Sequence, residues 1–222
     1  MDEEYVARLE NTIKQMLRPL KDIPLKLVIE SLCGHTIIPF NPKDSRDMAV
    51  LNNLKKAAQM AGADINRNGI LRKRPNEVGN DMEPFVKTAL NKLGYKADVP
   101  STKEGHKKAM GYPDIEFIDD TGSAHYLECK TFNIENIATT QRSFYLSPSE
   151  DFKVTQDAHH FILSFEIIAS GRQKGMTRFK CKSWKILSAE KLLVDVKYEF
   201  NSDNARMYEK GLILAEGELA GW

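Results

Sequence analysis

The chain has 222 residues, with 32 Lys and Arg against 31 Asp and Glu, and 41% of its residues are apolar. That length can bury a sizeable core in one large domain, or in a core with an added subdomain, and the composition excludes disordered, collagen-like and membrane chains. No apolar run approaches the roughly 18 residues of a transmembrane span, and the acidic start Met1-Asp2-Glu3-Glu4 lacks the positive charge of a secretory leader, so a soluble, cytoplasmic protein is expected.

Tyr5, Val6, Leu9, Ile13, Met16, Leu17 and Leu20 recur at mostly three-to-four spacing and predict a helix over 3–20. Residues 25–33 are apolar without an assignable period, and Pro39 and Pro42 mark a loop. Met48, Leu51, Leu54 and Ala58 predict a helix over 47–61, with Gly62 as its stop. Residues 66–80 are polar, basic and rich in Asn and Gly, and are expected to be an irregular connector. Met82, Phe85, Val86, Ala89, Leu90 and Leu93 then share one helix face. Asn80 or Asp81 can cap this helix, Pro84 is tolerable in its first turn and Gly94 closes it.

From there the period shortens to that of strands. Strands are expected over 95–99 and 115–118, a turn at Asp119-Asp120-Thr121-Gly122, and a returning strand over 125–132. Residues 149–158 suit a crossover helix, and 161–168, the most apolar run, suits a central buried strand. Late strands are expected over 179–187 and 192–200. This order predicts an α/β core with helices added on its N-terminal side.

The near-neutral net charge is unevenly spread. Residues 55–108 hold twelve bases against six acids, and residues 171–185 hold six bases and no acid. Such stretches suit surfaces that meet phosphates, as well as solvated faces. Arg67, Asn68, Arg72 and Arg74 carry side chains that can read guanine and adenine edges. Strand alternation puts Arg178, Lys180, Lys182 and Trp184 on one face. A basic edge strand also guards against sheet-to-sheet pairing. His106, among Lys103, Lys107 and Lys108, is a candidate phosphate contact, whereas His159 and His160 are expected to pack. Cys33, Cys129 and Cys181 are far apart, which excludes a disulfide scaffold and a four-cysteine zinc site.

Three acid-x-Lys triplets occur: Glu128-Cys129-Lys130, Asp151-Phe152-Lys153 and Asp195-Val196-Lys197. Only the first lies just downstream of a Pro-Asp pair. Pro113-Asp114 is the one such dipeptide in the chain, and Asp114 precedes Glu128 by 14 residues, a gap that fits two short antiparallel strands and a turn. Glu128 and Lys130 then point to one face and Cys129 to the other, where it is expected to pack beneath the sheet. Two close carboxylates repel unless a cation sits between them, and a hard divalent ion, Mg2+ above all, suits oxygen ligands. The Cys129 backbone carbonyl is a further candidate ligand. Lys130 can orient a water attacking phosphorus and offset charge on the transition state. Lys153 and Lys197 are expected to be incidental.

Gly111-Tyr112-Pro113-Asp114 with Glu128-Cys129-Lys130 resembles the signature of the PD-(D/E)xK nucleases. Gly79-x-x-x-Glu83, followed by Leu90 and Gly94-Tyr95, is similar to the first core helix of many members, whose glutamate faces the metal site. Glu77 competes with Glu83 for that role. The resemblance covers roughly residues 76–170. It implies a restriction-endonuclease-like core, a mixed central sheet flanked by helices, over 76–222, with a helical region over 1–75 serving dimerisation or DNA contact. It implies an Mg2+-dependent endonuclease with Asp114, Glu128 and Lys130 at its centre, most like a type II restriction enzyme acting as a homodimer on double-stranded DNA. Gln141 and Arg142, just after the active-site strand, are then expected to approach the DNA. A structure-specific or repair nuclease of the same fold and a catalytically silent DNA-binding module are the alternatives, and the intact Asp114, Glu128 and Lys130 set argues against the latter.

Overall fold

The computed structural model describes residues 2–16, 18, 20–139, 142–198 and 202–215. In chain order the elements are α1 (Glu3–Met16), β1 (Ile23–Pro24), α2 (Leu25–Cys33), α3 (Ser45–Asn68), β2 (Ile70–Arg72), α4 (Gly79–Lys92), β3 (Lys96–Asp98), β4 (Ile115–Ile118), β5 (Ala124–Phe132), β6 (His159–Gln173), β7 (Met176–Ser188), β8 (Leu193–Val194) and α5 (Asn204–Met207). Short 3-10 turns lie at Pro75–Glu77 and Ile134–Asn136. No helix among the described residues is long and apolar enough to cross a membrane.

Residues 23–194 form one compact unit, and residues up to Asp22 together with those from Asp195 form another. In the smaller unit, Asp22 N–H donates to the Asp195 carboxylate at 3.0 Å and Val196 N–H to the Leu20 carbonyl at 2.9 Å. Helix α1 stops at Met16, short of the expected Leu20, and none of its residues is buried; Leu17 lies outside the described residues.

In the larger unit, six strands among the described residues form one mixed sheet in the order β2-β7-β6-β5-β4-β3. Only β5 and β6 run parallel. Helices α3 and α4 cover one face: Leu54, Ala58 and Ile65 of the first and Met82, Val86 and Leu90 of the second meet Leu127, Cys129, Leu163 and Phe165. On the other face Leu25 and Ile29 of α2, with Val154 and Ala158, meet Tyr126 and Ile162. This is the mixed α/β core, flanked by helices, that the resemblance implies. The two-residue period of β5 sends Leu127 and Cys129 into the first core and Tyr126 into the second, which puts Glu128 and Lys130 on the Tyr126 face.

Four expectations need correction. Helix α3 runs through Gly62, which is buried in mid-helix. A Cβ there would stand 3.7 Å from the Phe165 ring and 3.9 Å from Cys181 Cβ, ordinary packing distances, so Gly62 is a helix residue facing the sheet and not a stop. The stop is Gly69, at φ 70°. Arg67 and Asn68 therefore lie in the last helical turn, and the supposed connector contains edge strand β2. Residues 149–158 form no helix, because their backbone groups are taken by partners elsewhere. Thr155 N–H donates to the Tyr126 hydroxyl at 3.0 Å, and Ala158 N–H to the Thr36 carbonyl at 3.3 Å. The last expected strand is reduced to β8, paired with β1; Glu199 and Phe200 lie outside the described residues.

The fourth correction concerns β7. Glu166 pairs with Ser183 while Ile167 pairs with Cys181, so Lys182 is the extra residue of a bulge. The side-chain period slips there. Trp184 consequently packs on the α3–α4 core with Phe179 and Cys181, and does not share a face with Arg178 and Lys180. Asn66 clamps the bulge: its amide donates to the Cys181 carbonyl at 2.8 Å, and its amide oxygen accepts from the Cys181 N–H at 2.7 Å.

Asn66→Ala leaves both Cys181 backbone groups without these partners and should lower the free energy of unfolding by about 2 kcal/mol or more in a denaturant titration. An unchanged midpoint would show that the clamp is dispensable.

Candidate active site

The site begins with the β4–β5 hairpin. The Asp119 carboxylate accepts the N–H groups of Thr121 and Ser123, each at 2.9 Å, and so closes the turn chemically. The resulting register pairs Ile115 with Leu127, and one step further it sets Asp114 across from Glu128. Asp114 Oδ2 accepts the Cys129 N–H at 2.7 Å. Glu128 is 3% exposed. Its Oε1 lies 2.6 Å from Lys130 Nζ, and its Oε2 is buried without a hydrogen-bond partner.

Glu83 faces the same space from α4. A cleft of about 490 Å³ is lined by Glu83, Asp114, the Cys129–Lys130 segment, Asn80 on α4, and Asn133, Asn136, Arg142 and Tyr145 beyond β5. Glu77, the competing acid, is exposed and turned back to the Arg74 N–H at 3.4 Å. Burial, and then the charge of Asp114, push the carboxyls of both Glu128 and Glu83 up to about 7. Burial also raises Asp114, which the Cys129 N–H and the ammoniums of Lys130 and Lys153 partly offset. Crowded acids in a dry place hold protons unless a cation arrives.

The donor set fits a hard divalent ion. Asp114 and the orphaned Glu128 Oε2 offer oxygen donors that such an ion would accept, and Glu83 stands nearby. Among the described residues no three His, Cys, Asp or Glu side chains close into a metal cage. The remaining positions would thus fall to backbone carbonyl, as of Cys129, and to water, which suits Mg2+ better than an all-protein site.

The other expected residues lie in several places. Arg142 lines the cleft with its guanidinium over the Tyr145 ring at 5.2 Å; Gln141 lies outside the described residues. Arg67, Asn68, Arg72, Arg74, Arg178, Lys180 and Lys182 lie away from the cleft lining. Strand β2 pairs Leu71 with Arg178 and Arg72 with Thr177, so two basic stretches separated in sequence form one ribbon. Arg67 pairs with Asp64 at 2.9 Å, Arg72 grips Asp81 with two bonds of 2.7 and 2.6 Å, Arg178 donates to Gln173, and Lys182 meets Glu166 at 3.2 Å. Arg74 and Lys180 have no ion pair among the described residues. The His106 side chain is exposed in a loop away from the cleft.

The expected packing roles are observed. Cys129 is buried and its thiol is pushed well up by burial, which rules it out as a nucleophile. His159 bonds the Ile38 carbonyl at 3.0 Å and Asp47 at 3.2 Å. His160 Nδ1 meets the Tyr112 hydroxyl at 2.7 Å, and burial lowers its pKa to about 3. Lys153 is the residue that sequence reasoning missed. It is 3% exposed and donates to the Pro113 carbonyl at 2.5 Å. The apolar neighbours Phe152 and Val154 were its only signal, and they say nothing about where the loop leads.

Residues 19–211 match the type II restriction enzyme MjaV family. A curated relative, type II restriction enzyme MjaV of Methanocaldococcus jannaschii, is 39% identical over 233 aligned positions, covering 98% of this chain and 99% of the relative. No solved structure matches the chain.

The folded chain holds the Glu128 proton up to about 7, whereas the unfolded chain releases it near 4.5. Between these values the folded state binds more protons, so this group's stabilising contribution is lost as pH rises. His160, buried neutral, pulls the other way, and the readout is therefore a difference. In chelator, the melting temperature of Glu128→Gln minus that of the wild type should grow from pH 5 to about pH 7.5. A constant difference would mean that Glu128 is already ionised.

Proposed function

The chain belongs to the type II restriction enzyme MjaV family, and from that premise we propose that it is an Mg2+-dependent endonuclease that cuts a specific double-stranded DNA site, acting as a homodimer in the cytoplasm. The observation that carries the reading is the cleft: Asp114 and Lys130 line it together, with Glu128 behind them and Glu83 opposite. Family membership alone would leave the reacting groups unassigned.

Asp114, Glu128 Oε2 and the Cys129 carbonyl are the groups that would hold the ion. When bound, Mg2+ supplies positive charge that polarises the scissile phosphate and makes a water more acidic. Lys130 is held at the cleft by Glu128 Oε1 at 2.6 Å. From there its ammonium orients the attacking water and offsets the negative charge that gathers as phosphorus becomes five-coordinate. The water oxygen bonds to phosphorus as it gives a proton to a cleft group, for which Glu83 is our candidate, the phosphorus–oxygen bond to the leaving strand breaks, and the leaving oxygen takes a proton from solvent water. Asn133, Asn136 and Arg142 offer donors to the strand backbone.

The β2–β7 ribbon is the proposed phosphate surface. Arg74 and Lys180 lead, because Arg72, Arg178 and Lys182 would first have to leave Asp81, Gln173 and Glu166. Arg67 and Asn68 stand at the helix end beside it.

Two measurements test the reading. In Mg2+ a plasmid digest should give discrete bands, and Lys130→Ala should still bind DNA while cutting roughly a hundredfold slower or worse. A smear would contradict site specificity, and wild-type cutting by Lys130→Ala would remove that lysine from the chemistry. Lys180→Glu should weaken binding to all sequences alike and reduce the salt slope by about one. An unchanged slope would take the ribbon out of the interface.

A further inference from the structure

Lys153 stands outside the Asp114, Glu128 and Lys130 set, yet it is the more deeply buried of the two lysines at the site. It lies in the irregular connection leading to β6 and is 3% exposed. Its ammonium donates to the Pro113 carbonyl oxygen at 2.5 Å and makes no ion pair among the described residues. Burying an ammonium without a carboxylate at contact distance costs a fold stability. Packing does not demand it. The adjoining cavity of about 350 Å³ is walled largely by apolar side chains such as Ile29, Leu32, Phe152 and Val154, which would accept a neutral chain of the same length.

The carbonyl it grips belongs to the residue immediately before Asp114, where the chain turns into β4. Asp114 itself is aimed by the Cys129 N–H on Oδ2 at 2.7 Å. Upstream, Tyr112 is tied to His160 at 2.7 Å. Between these two ties only Lys153 holds the intervening peptide among the described residues. Its charge also favours the ionised forms of Asp114, Glu128 and Glu83.

We propose that Lys153 is a positioning residue for the phosphodiester hydrolysis: by gripping the Pro113 carbonyl it fixes the turn that aims Asp114, and it acts through Asp114 without touching DNA. The inference rests on the nuclease reading above.

The test uses the full chain, a supercoiled plasmid that the wild type cuts, and single-turnover rates with enzyme in excess. Lys153→Met keeps the length and removes the donor. It should cut roughly tenfold to a hundredfold more slowly, bind the plasmid in Ca2+ with a Kd within about threefold of wild type, and melt in chelator no lower than wild type. Lys153→Arg keeps donor and charge, the adjoining cavity offers room for it, and its rate should stay within about threefold of wild type. Lys153→Met cutting at the wild-type rate overturns the proposal, as does Lys153→Arg as slow as Lys153→Met. A slow Lys153→Met whose melting temperature falls by more than about 5 °C also overturns it, since the lysine would then be structural. A wild-type protein that cuts no plasmid overturns both this and the nuclease reading, whereas cutting by the wild type and Lys153→Met alike leaves that reading standing.

Discussion

The carboxyl groups of Asp114 and Glu83 line one cleft, and that of Glu128 is buried behind it. Burial of charge is the constraint around which the site is arranged, with the charge of Asp114 acting second on both glutamates. It raises all three above the ordinary carboxylate range, and it leaves Glu128 Oε2 without a partner. Two lysines answer it in part. Lys130 does so by direct contact with Glu128 from the open side, and Lys153 from beneath the Pro-Asp turn. Two ammoniums cannot neutralise three carboxylates, and the residual negative charge is what a divalent ion would satisfy.

The fold keeps these groups close enough to repel. The hairpin register sets Asp114 across from Glu128, and the register in turn depends on the Asp119 turn. Strand β5 is fixed on its other side by parallel pairing with β6, which makes it an interior strand that cannot shift without breaking both ladders. Helix α4, carrying Glu83, is pressed against β5 through Met82, Val86 and Leu90. It is backed by α3, which faces Phe165 at Gly62. Farther out, the Lys182 bulge and its Asn66 clamp rotate β7 so that Trp184 seals the core and Arg178 and Lys180 stay on the opposite face. The same strand therefore serves core and basic surface.

The elements whose signals are local were legible in the sequence. Helix α4, the hairpin, β5 and the central strand follow from period and turn chemistry alone, and the Asp114, Glu128 and Lys130 set follows from spacing along that hairpin. What stayed hidden depends on contacts between segments distant in sequence. Gly62 reads as a stop until Phe165 is brought against it. The slip at Lys182 has no local signal, because a bulge is defined by its partner strand. Residues 149–158 have helical composition, but their hydrogen bonds go to Tyr126 and Thr36. Lys153 belongs to the same class: a triplet indistinguishable from a chance one until the loop folds back under Pro113.

The claim that the cleft's acids share too few cations for full ionisation is tested most directly by proton counting. Mg2+ is titrated calorimetrically into the metal-free protein at pH 6.5 in two buffers of different ionisation enthalpy, and the difference in heat gives protons released per ion bound. Carboxyls that hold protons up to about 7 must give them up when the ion arrives, so release on the order of one proton per Mg2+ is expected, and Glu128→Gln should reduce it. Tight Mg2+ binding with no proton release would contradict the account.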